Sequence, residues 1–155
     1  MTSYELIHTF YTAFANRDYK TMQQCYADDA VFQDEVFGPL NSEETKAMWE
    51  MLCKNAKNFS LQFSEVKADV NSGSAYWEAN YVFSSTGKQV VNRIHATFTF
   101  ENGKIKTHRD HFNFYKWASQ ALGLPEMLLG WTGFMRNKVQ HTAMGNLKKF
   151  MARTA

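Results

Sequence analysis

Hydrophobic positions along this chain repeat at helical spacing, switch to strict alternation near residue 59, and return to helical spacing after Trp117. In the first stretch Leu6, Ile7, Phe10, Tyr11 and Phe14 fall three and four residues apart, one face of an amphipathic helix. Thr2-Ser-Tyr-Glu5 fits a capping box at its start. Asp18 is placed to cap a second, shorter helix through Met22, Cys25 and Tyr26. A short strand is expected around residues 30–33, ended by Gly38-Pro39. Ser42 with Glu43 and Glu44 then opens a third helix carrying Met48, Trp49, Leu52 and Ala56, its acids complementing the N-terminal dipole.

From Phe59 the period is two. Phe59, Leu61 and Phe63 alternate, and Val66, Ala68 and Val70 continue one step out of phase, which predicts a bulge near Ser64 and Glu65. After a turn at Asn71-Ser-Gly73, Ala75, Trp77, Ala79, Tyr81 and Phe83 form the inner face of the next strand. Ser84-Ser-Thr-Gly87 turns the chain again, and Asn92, Ile94, Ala96, Phe98 and Phe100 line the third. Asn102-Gly103, a strong hairpin signal, leads to a fourth strand running from Ile105 to Tyr115. Long strands joined by tight turns make a meander, so an α+β fold is expected, with a curved antiparallel sheet packed on N-terminal helices. Beyond Trp117 a short helix reaches Leu122, Gly123-Leu-Pro125 interrupts it, and a longer amphipathic helix runs to about Met151. Arg136, Lys138, Lys148 and Lys149 are assigned to its solvent side.

Composition narrows the class. A chain of 155 residues with 45% hydrophobic and 15% aromatic side chains is long enough for one domain with a large core. Its aromatics allow a lined cavity besides. A formal charge of +2 offers no concentrated basic face for nucleic acid. No stretch approaches membrane-spanning length and no leader pattern opens the chain, so a cytoplasmic protein without membrane or nucleic-acid partners is expected. Cys25 and Cys53 are read as buried free thiols.

The chemistry concentrates on the fourth strand. Alternation sends His108, Asp110, Phe112 and Phe114 to one face and Arg109, His111 and Asn113 to the other. A carboxylate and an imidazole on an apolar wall are expensive to keep unless they are paired or used. As chemistry, Asp110 would be a general base and His108 its proton partner; as structure, the two would satisfy each other inside the sheet. Trp49, Trp77, Tyr81, Phe98 and Phe112 are the expected cavity wall, with Asn92 placed to orient a ligand carbonyl or hydroxyl. Alternation sets His95 and His111 opposite His108 and Asp110, so no three ligands converge and no metal site is expected. The outer face carries Glu78, Asn80, Arg93, His95, Thr97, Arg109 and His111; it is either a wet two-fold interface or a solvated surface.

Three stretches carry a resemblance: Tyr26-Ala-Asp-Asp-Ala-Val-Phe-Gln-Asp34-Glu-Val-Phe-Gly38, Phe98-Thr-Phe100-Glu-Asn-Gly103, and Gly103-Lys-Ile105 followed by His108-Arg-Asp110. Together they resemble the nuclear transport factor two-like superfamily, in its branch of SnoaL-like polyketide cyclases and ketosteroid isomerases. The resemblance covers residues 2 to about 116. It implies a cystatin-like, cone-shaped domain over residues 1–116, with residues 117–155 as a C-terminal helical extension of the same domain. It also implies Asp34 at the isomerases' base position, Tyr11 within a residue of their oxyanion-hole tyrosine, and Asp110 with His108 as the cyclases' pocket pair. The isomerases' second donor, a carboxylic acid, falls on a strand occupied here by His95 and Ala96, and the epoxide hydrolases' Asp-Arg-Asp set is incomplete. The function implied is a cofactor-independent isomerase, cyclase or hydratase acting on a small apolar molecule, as a homodimer formed through the outer sheet face. The other reading is a non-catalytic binding module for an apolar ligand or partner protein. Scaffold alone does not choose between them.

Overall fold

Residues 1–123 and 132–154 are described by a computed structural model of the chain. In chain order the elements are α1 (Ser3–Ala15), α2 (Tyr19–Gln24), β1 (Tyr26–Asp34), β2 (Gly38–Leu40), α3 (Ser42–Asn55), β3 (Lys57–Ala68), β4 (Ser72–Phe83), β5 (Lys88–Glu101), β6 (Lys104–His111), α4 (Phe114–Leu122) and α5 (Thr132–Thr154). The predicted meander is present as β3 to β6, and the fold is α+β with a curved six-stranded sheet in the order β2-β1-β6-β5-β4-β3. One pairing departs from the expected antiparallel sheet: β1 runs parallel to β6, with Phe32 beside His108. Parallel strands need no tight turn, and β1 and β6 are far apart in the chain, so nothing local announces the pairing.

Local chemistry explains most boundaries. At α1 the Glu5 amide donates to Thr2 Oγ1 at 3.1 Å and the Thr2 amide returns to Glu5 Oε1 at 3.4 Å, the expected capping box. Ser42 opens α3 as expected, and a second box caps it from Asn41: Glu44 N donates to Asn41 Oδ1 and Asn41 N to Glu44 Oε1, both at 2.9 Å. The predicted bulge lies where Ser64↔Tyr76 is followed by Lys67↔Ser74, with Glu65 at φ 54°. Val70 lies beyond β3 and is exposed, because Asp69 Oδ1 accepts the Asn71 and Ser72 amides and turns the chain there. Ser72 and Gly73 therefore open β4 instead of forming the turn. The fourth strand also ends sooner than alternation suggested: β6 stops at His111, and Asn113 caps α4 through the Tyr115 and Lys116 amides.

The inner face of the sheet packs on α1, α2 and α3 in one core that includes Ile7, Phe10, Trp49, Ala75 and Ile105. Gly73 sits where α1 presses on the sheet. A Cβ there would lie 2.9 Å from both Ile7 Cδ1 and the Lys67 carbonyl oxygen. Gly73→Ala is therefore expected to destabilise the chain by about 1–3 kcal/mol as an overpacking change, read as a lowered urea midpoint at unchanged slope.

The C-terminal part joins the same core through Trp117, Ala118, Ala121 and Leu147. Helix α4 ends at Gly123, whose φ of 66° suits a glycine cap. The expected break at Leu124-Pro125 lies outside the described residues. Helix α5 packs on α3 and is tied down by an Arg136–Glu35 ion pair and by Gln140 Nε2 donating to the Phe37 carbonyl at 3.2 Å. Arg136 also lies over the Phe114 ring, 5.2 Å from its centre. Cys25 and Cys53 are free and buried, and burial pushes both thiols up to about 11. Among the described residues no helix is long and apolar enough to cross a membrane.

Candidate functional site

Strand β6 delivers His108 and Asp110 to the inner face, opposite Phe98 and Ala96 of β5. His108 is entirely enclosed. The Phe98, Phe32 and Phe10 rings lie 4.4, 5.0 and 5.6 Å from it, while Tyr26 and Trp49 run nearly parallel to its plane. Both ring nitrogens are used. Nδ1 meets the Tyr26 hydroxyl at 2.7 Å and Nε2 meets Asp110 Oδ1 at 2.9 Å. Trp49 Nε1 donates to the same Tyr26 oxygen at 2.9 Å. The hydroxyl thus accepts from Trp49 and donates to Nδ1, and the Nε2–H of a neutral imidazole donates to Asp110, an assignment that satisfies every member of the chain. Ala96, opposite Asp110, adds little bulk beside the carboxylate.

Tyr26 is the member that sequence reading missed. It opens β1 instead of closing α2, and its partners come from residues 49 and 108. Removing its hydroxyl strips His108 Nδ1 and the Trp49 N–H of their partner in a buried place. Tyr26→Phe is expected to cost about 1–3 kcal/mol, measured as a loss of unfolding free energy in urea, because two buried polar atoms are left unmatched.

A cavity of about 880 Å³ opens beside this chain of hydrogen bonds. Of the residues singled out from sequence, Asp110, Asp34, Trp49, Trp77, Tyr81, Asn92 and Phe112 line it. Three expected site residues do not. His108 is not among the lining residues and is joined to the cavity wall by its hydrogen bond to Asp110. Phe98 packs against the His108 ring and is part of the core. Tyr11 is fully buried against Phe63 and Trp77, at 5.5 and 5.9 Å between ring centres. Burial, and then the neighbouring Asp110 charge, hold its hydroxyl protonated well above the ordinary tyrosine range. The Tyr11 hydroxyl and the Trp77 indole N–H have no protein partner among the described residues. The helical period put Tyr11 on the inner face correctly; what it could not show was that the Trp77 and Phe63 rings would occupy the space in front of it.

Asp34 ends β1 at the cavity wall. Its Oδ1 accepts the Phe37 amide at 2.7 Å and the Val36 amide at 2.9 Å. Burial outweighs these two bonds and, with the Asp110 charge adding to it, raises the carboxyl to about 7. Tyr81 is held by Trp117, whose Nε1 donates to the hydroxyl oxygen at 2.9 Å, leaving the Tyr81 O–H free to donate elsewhere. Burial raises this hydroxyl as well.

Helix α5 closes one side of the cavity, with Met135, Val139, Ala143 and Phe150 among its lining residues. Lys138 and Lys149 are exposed as expected and also border it, Arg136 pairs with Glu35, and Lys148 is exposed away from it. Amphipathic spacing identifies a helix face but not what that face covers. On the opposite side of the sheet, Arg93 is exposed and 3.6 Å from Glu78, as alternation required. His95 and His111 share that outer face, with His95 stacked on Tyr76 at 4.5 Å.

The arrangement offers two carboxyl groups facing one apolar cavity. One is fixed by an imidazole N–H; the other titrates near neutrality. Such a pair can take a proton at one point of a ligand and give a hydrogen bond or a proton at another.

Comparison with solved structures gives the same fold at low identity. An LEH-like epoxide hydrolase of M. tuberculosis superposes at a TM-score of 0.65 with 18% identity, covering 79% of this chain and 92% of that one. A hypothetical protein with a ketosteroid isomerase-like fold from Catenulispora acidiphila, in complex with trimethylamine, superposes at 0.67 with 12% identity over 81% and 96% of the two chains. A candidate polyketide cyclase from Pseudomonas putida superposes at 0.65 with 19% identity over 78% and 98%. No curated protein matches the chain in sequence. The sequence profile of the SnoaL-like domain matches residues 7–108, a span that runs from α1 to the buried histidine of β6, and the chain belongs to the SnoaL-like domain family.

Proposed function

We propose that the cavity binds a largely apolar small molecule and that Asp110, oriented by His108, shuttles a proton on it without a cofactor. In the simplest case the Asp110 carboxylate removes a proton from a carbon next to a ligand carbonyl. The C–H electron pair then moves to the carbonyl oxygen, where protonated Asp34 or the Tyr81 hydroxyl donates a hydrogen bond to the developing enolate. Returning the proton to another carbon gives an isomerase outcome, whereas attack of the enolate carbon on a second carbonyl of the ligand, whose oxygen then takes up the proton, gives a cyclase-type outcome. The observation that carries this reading is the unlike pair of carboxyl groups on one apolar cavity: Asp34 is raised to about 7 by burial, whereas Asp110 accepts a buried N–H bond at 2.9 Å. Solved relatives described as a candidate polyketide cyclase and as an epoxide hydrolase have the same scaffold, which supports chemistry in this pocket. Epoxide opening by an Asp-Arg-Asp set is disfavoured, since Arg93 is on the outer face.

The test uses 2-tetralone, a bicyclic ketone with acidic C–H bonds, in D₂O. Enzyme-dependent loss of its α-proton NMR signals is expected. Quenching of tryptophan fluorescence by the ketone without any faster exchange would overturn proton transfer and leave a binding module. The outer face, where half-exposed Tyr76 lies on His95 among polar groups, is the surface through which a homodimer would form.

A further inference from the structure

Helix α5 lays ten side chains along the cavity, and their chemistry is divided. Met135, Val139, Ala143 and Phe150 are apolar, whereas Lys138, Thr142, Asn146, Lys149, Arg153 and Thr154 form a polar row with one cation near its start and two close together near its end. Lys149 and Arg153 are one helical turn apart, a rise of about 6 Å, and both are exposed. Neither has a carboxylate within 4.0 Å among the described residues, although the same chain pairs Arg136, Lys54 and Lys106 with acids. Two like charges at i and i+4 repel, an effect that the C-terminal dipole of α5 offsets in part and that an anion between them would relieve. Asn146 on α5 and Asn55 at the end of α3 bring amide donors to the same cavity. The acidic groups of the lining are Asp34 and Asp110, held at the opposite, sheet side on β1 and β6.

We infer that the ligand of this cavity is an amphipathic carboxylate whose apolar body fills the aromatic interior and whose charged end is held by Lys149 and Arg153, with Asn55 and Asn146 beside them. The inference rests on the reading of the cavity as a small-molecule site and narrows it to a substrate class. The charge distribution also sets orientation. Asp110 repels an anion, and α5 attracts it, so the carboxylate points to α5 and the uncharged, reactive part of the molecule lies against Asp110.

The test compares 6-phenylhexanoate with its neutral isostere 6-phenylhexanamide by calorimetric titration of the full chain. The carboxylate is expected to bind at least fivefold more tightly at low salt, and to lose that advantage as ionic strength is raised to about 0.3 M. In a Lys149→Gln/Arg153→Gln double variant the carboxylate should fall to the affinity of the amide, with the amide unchanged. Lys148→Gln, which removes an exposed α5 charge that does not line the cavity, should keep the preference. Equal binding of the two ligands to the parent chain would overturn the inference while leaving the small-molecule site intact. Loss of both ligands in the double variant would overturn it too, by assigning the two residues a role in closing the cavity. Binding of neither ligand to the parent would sink both readings together.

Discussion

The Asp110→Asn variant is expected to lose about 10²- to 10⁴-fold of the catalysed deuterium exchange while still binding the ketone, the range that a positioned general base contributes. An amide oxygen can still accept the His108 Nε2–H bond, so the buried chain from Trp49 through Tyr26 and His108 stays matched. What the amide cannot do is take a proton from carbon. The substitution therefore separates chemistry from architecture, provided that two quantities are read together: the exchange rate by NMR and the unfolding free energy in urea. A variant that exchanges at the parent rate would remove Asp110 from the mechanism. A variant that loses exchange only in proportion to lost folded protein would reduce it to a structural partner of His108.

Asp34→Asn should do something less usual, and stabilise the protein. The Asp34 carboxyl stands at about 7 in the folded chain against an ordinary value of 3.8, chiefly because it is buried. A raised acid is a liability at high pH. Below 3.8 it is protonated in both states and makes no difference. Between 3.8 and about 7 the unfolded chain releases its proton while the folded chain holds it, so stability falls as pH rises, and the loss levels off above that range. The full span corresponds to about 4 kcal/mol. The side-chain amide of the variant does not titrate, and its oxygen can still accept the Val36 and Phe37 amides. Urea unfolding at about pH 4 should show parent and variant alike. At about pH 8 the variant should be ahead by about 3–4 kcal/mol. A difference that does not change with pH would mean that Asp34 is not a buried acid. A raised acid at a cavity wall is suited to donating a proton or a hydrogen bond, and the pH dependence of this variant tests whether Asp34 is one.

The reach of the sequence can be judged residue by residue. Capping at Thr2, the bulge at Glu65, the Asn102-Gly103 hairpin and the inner row Ala75, Trp77 and Ala79 were all readable, because each is decided by neighbours a few positions away. The same alternation placed Asp110 inward and Arg93 outward without any structure. Errors began where a decision depended on what arrives from elsewhere. β6 gave way to α4 at Phe114 because Asn113 could cap a helix there. Tyr26 went unnoticed because its meaning lies in Trp49 and His108.

The amino-acid sequence by itself determined the periods, and hence the helices, the four-strand meander and the face on which His108 and Asp110 stand, since side-chain direction follows from backbone geometry within each element. Only the tertiary structure decided the roles on that face. It laid β1 parallel to β6, so that Tyr26 and Phe32 enclose His108, and it put Trp77 in front of Tyr11. It also set the exposed Lys138 and Lys149 of α5 at the edge of the cavity. The physical reason is that burial and acidity depend on everything packed around a group: a pattern can aim a side chain inward, but whether it meets a ring, a hydrogen-bond partner or an empty volume depends on residues that come together only when the chain folds.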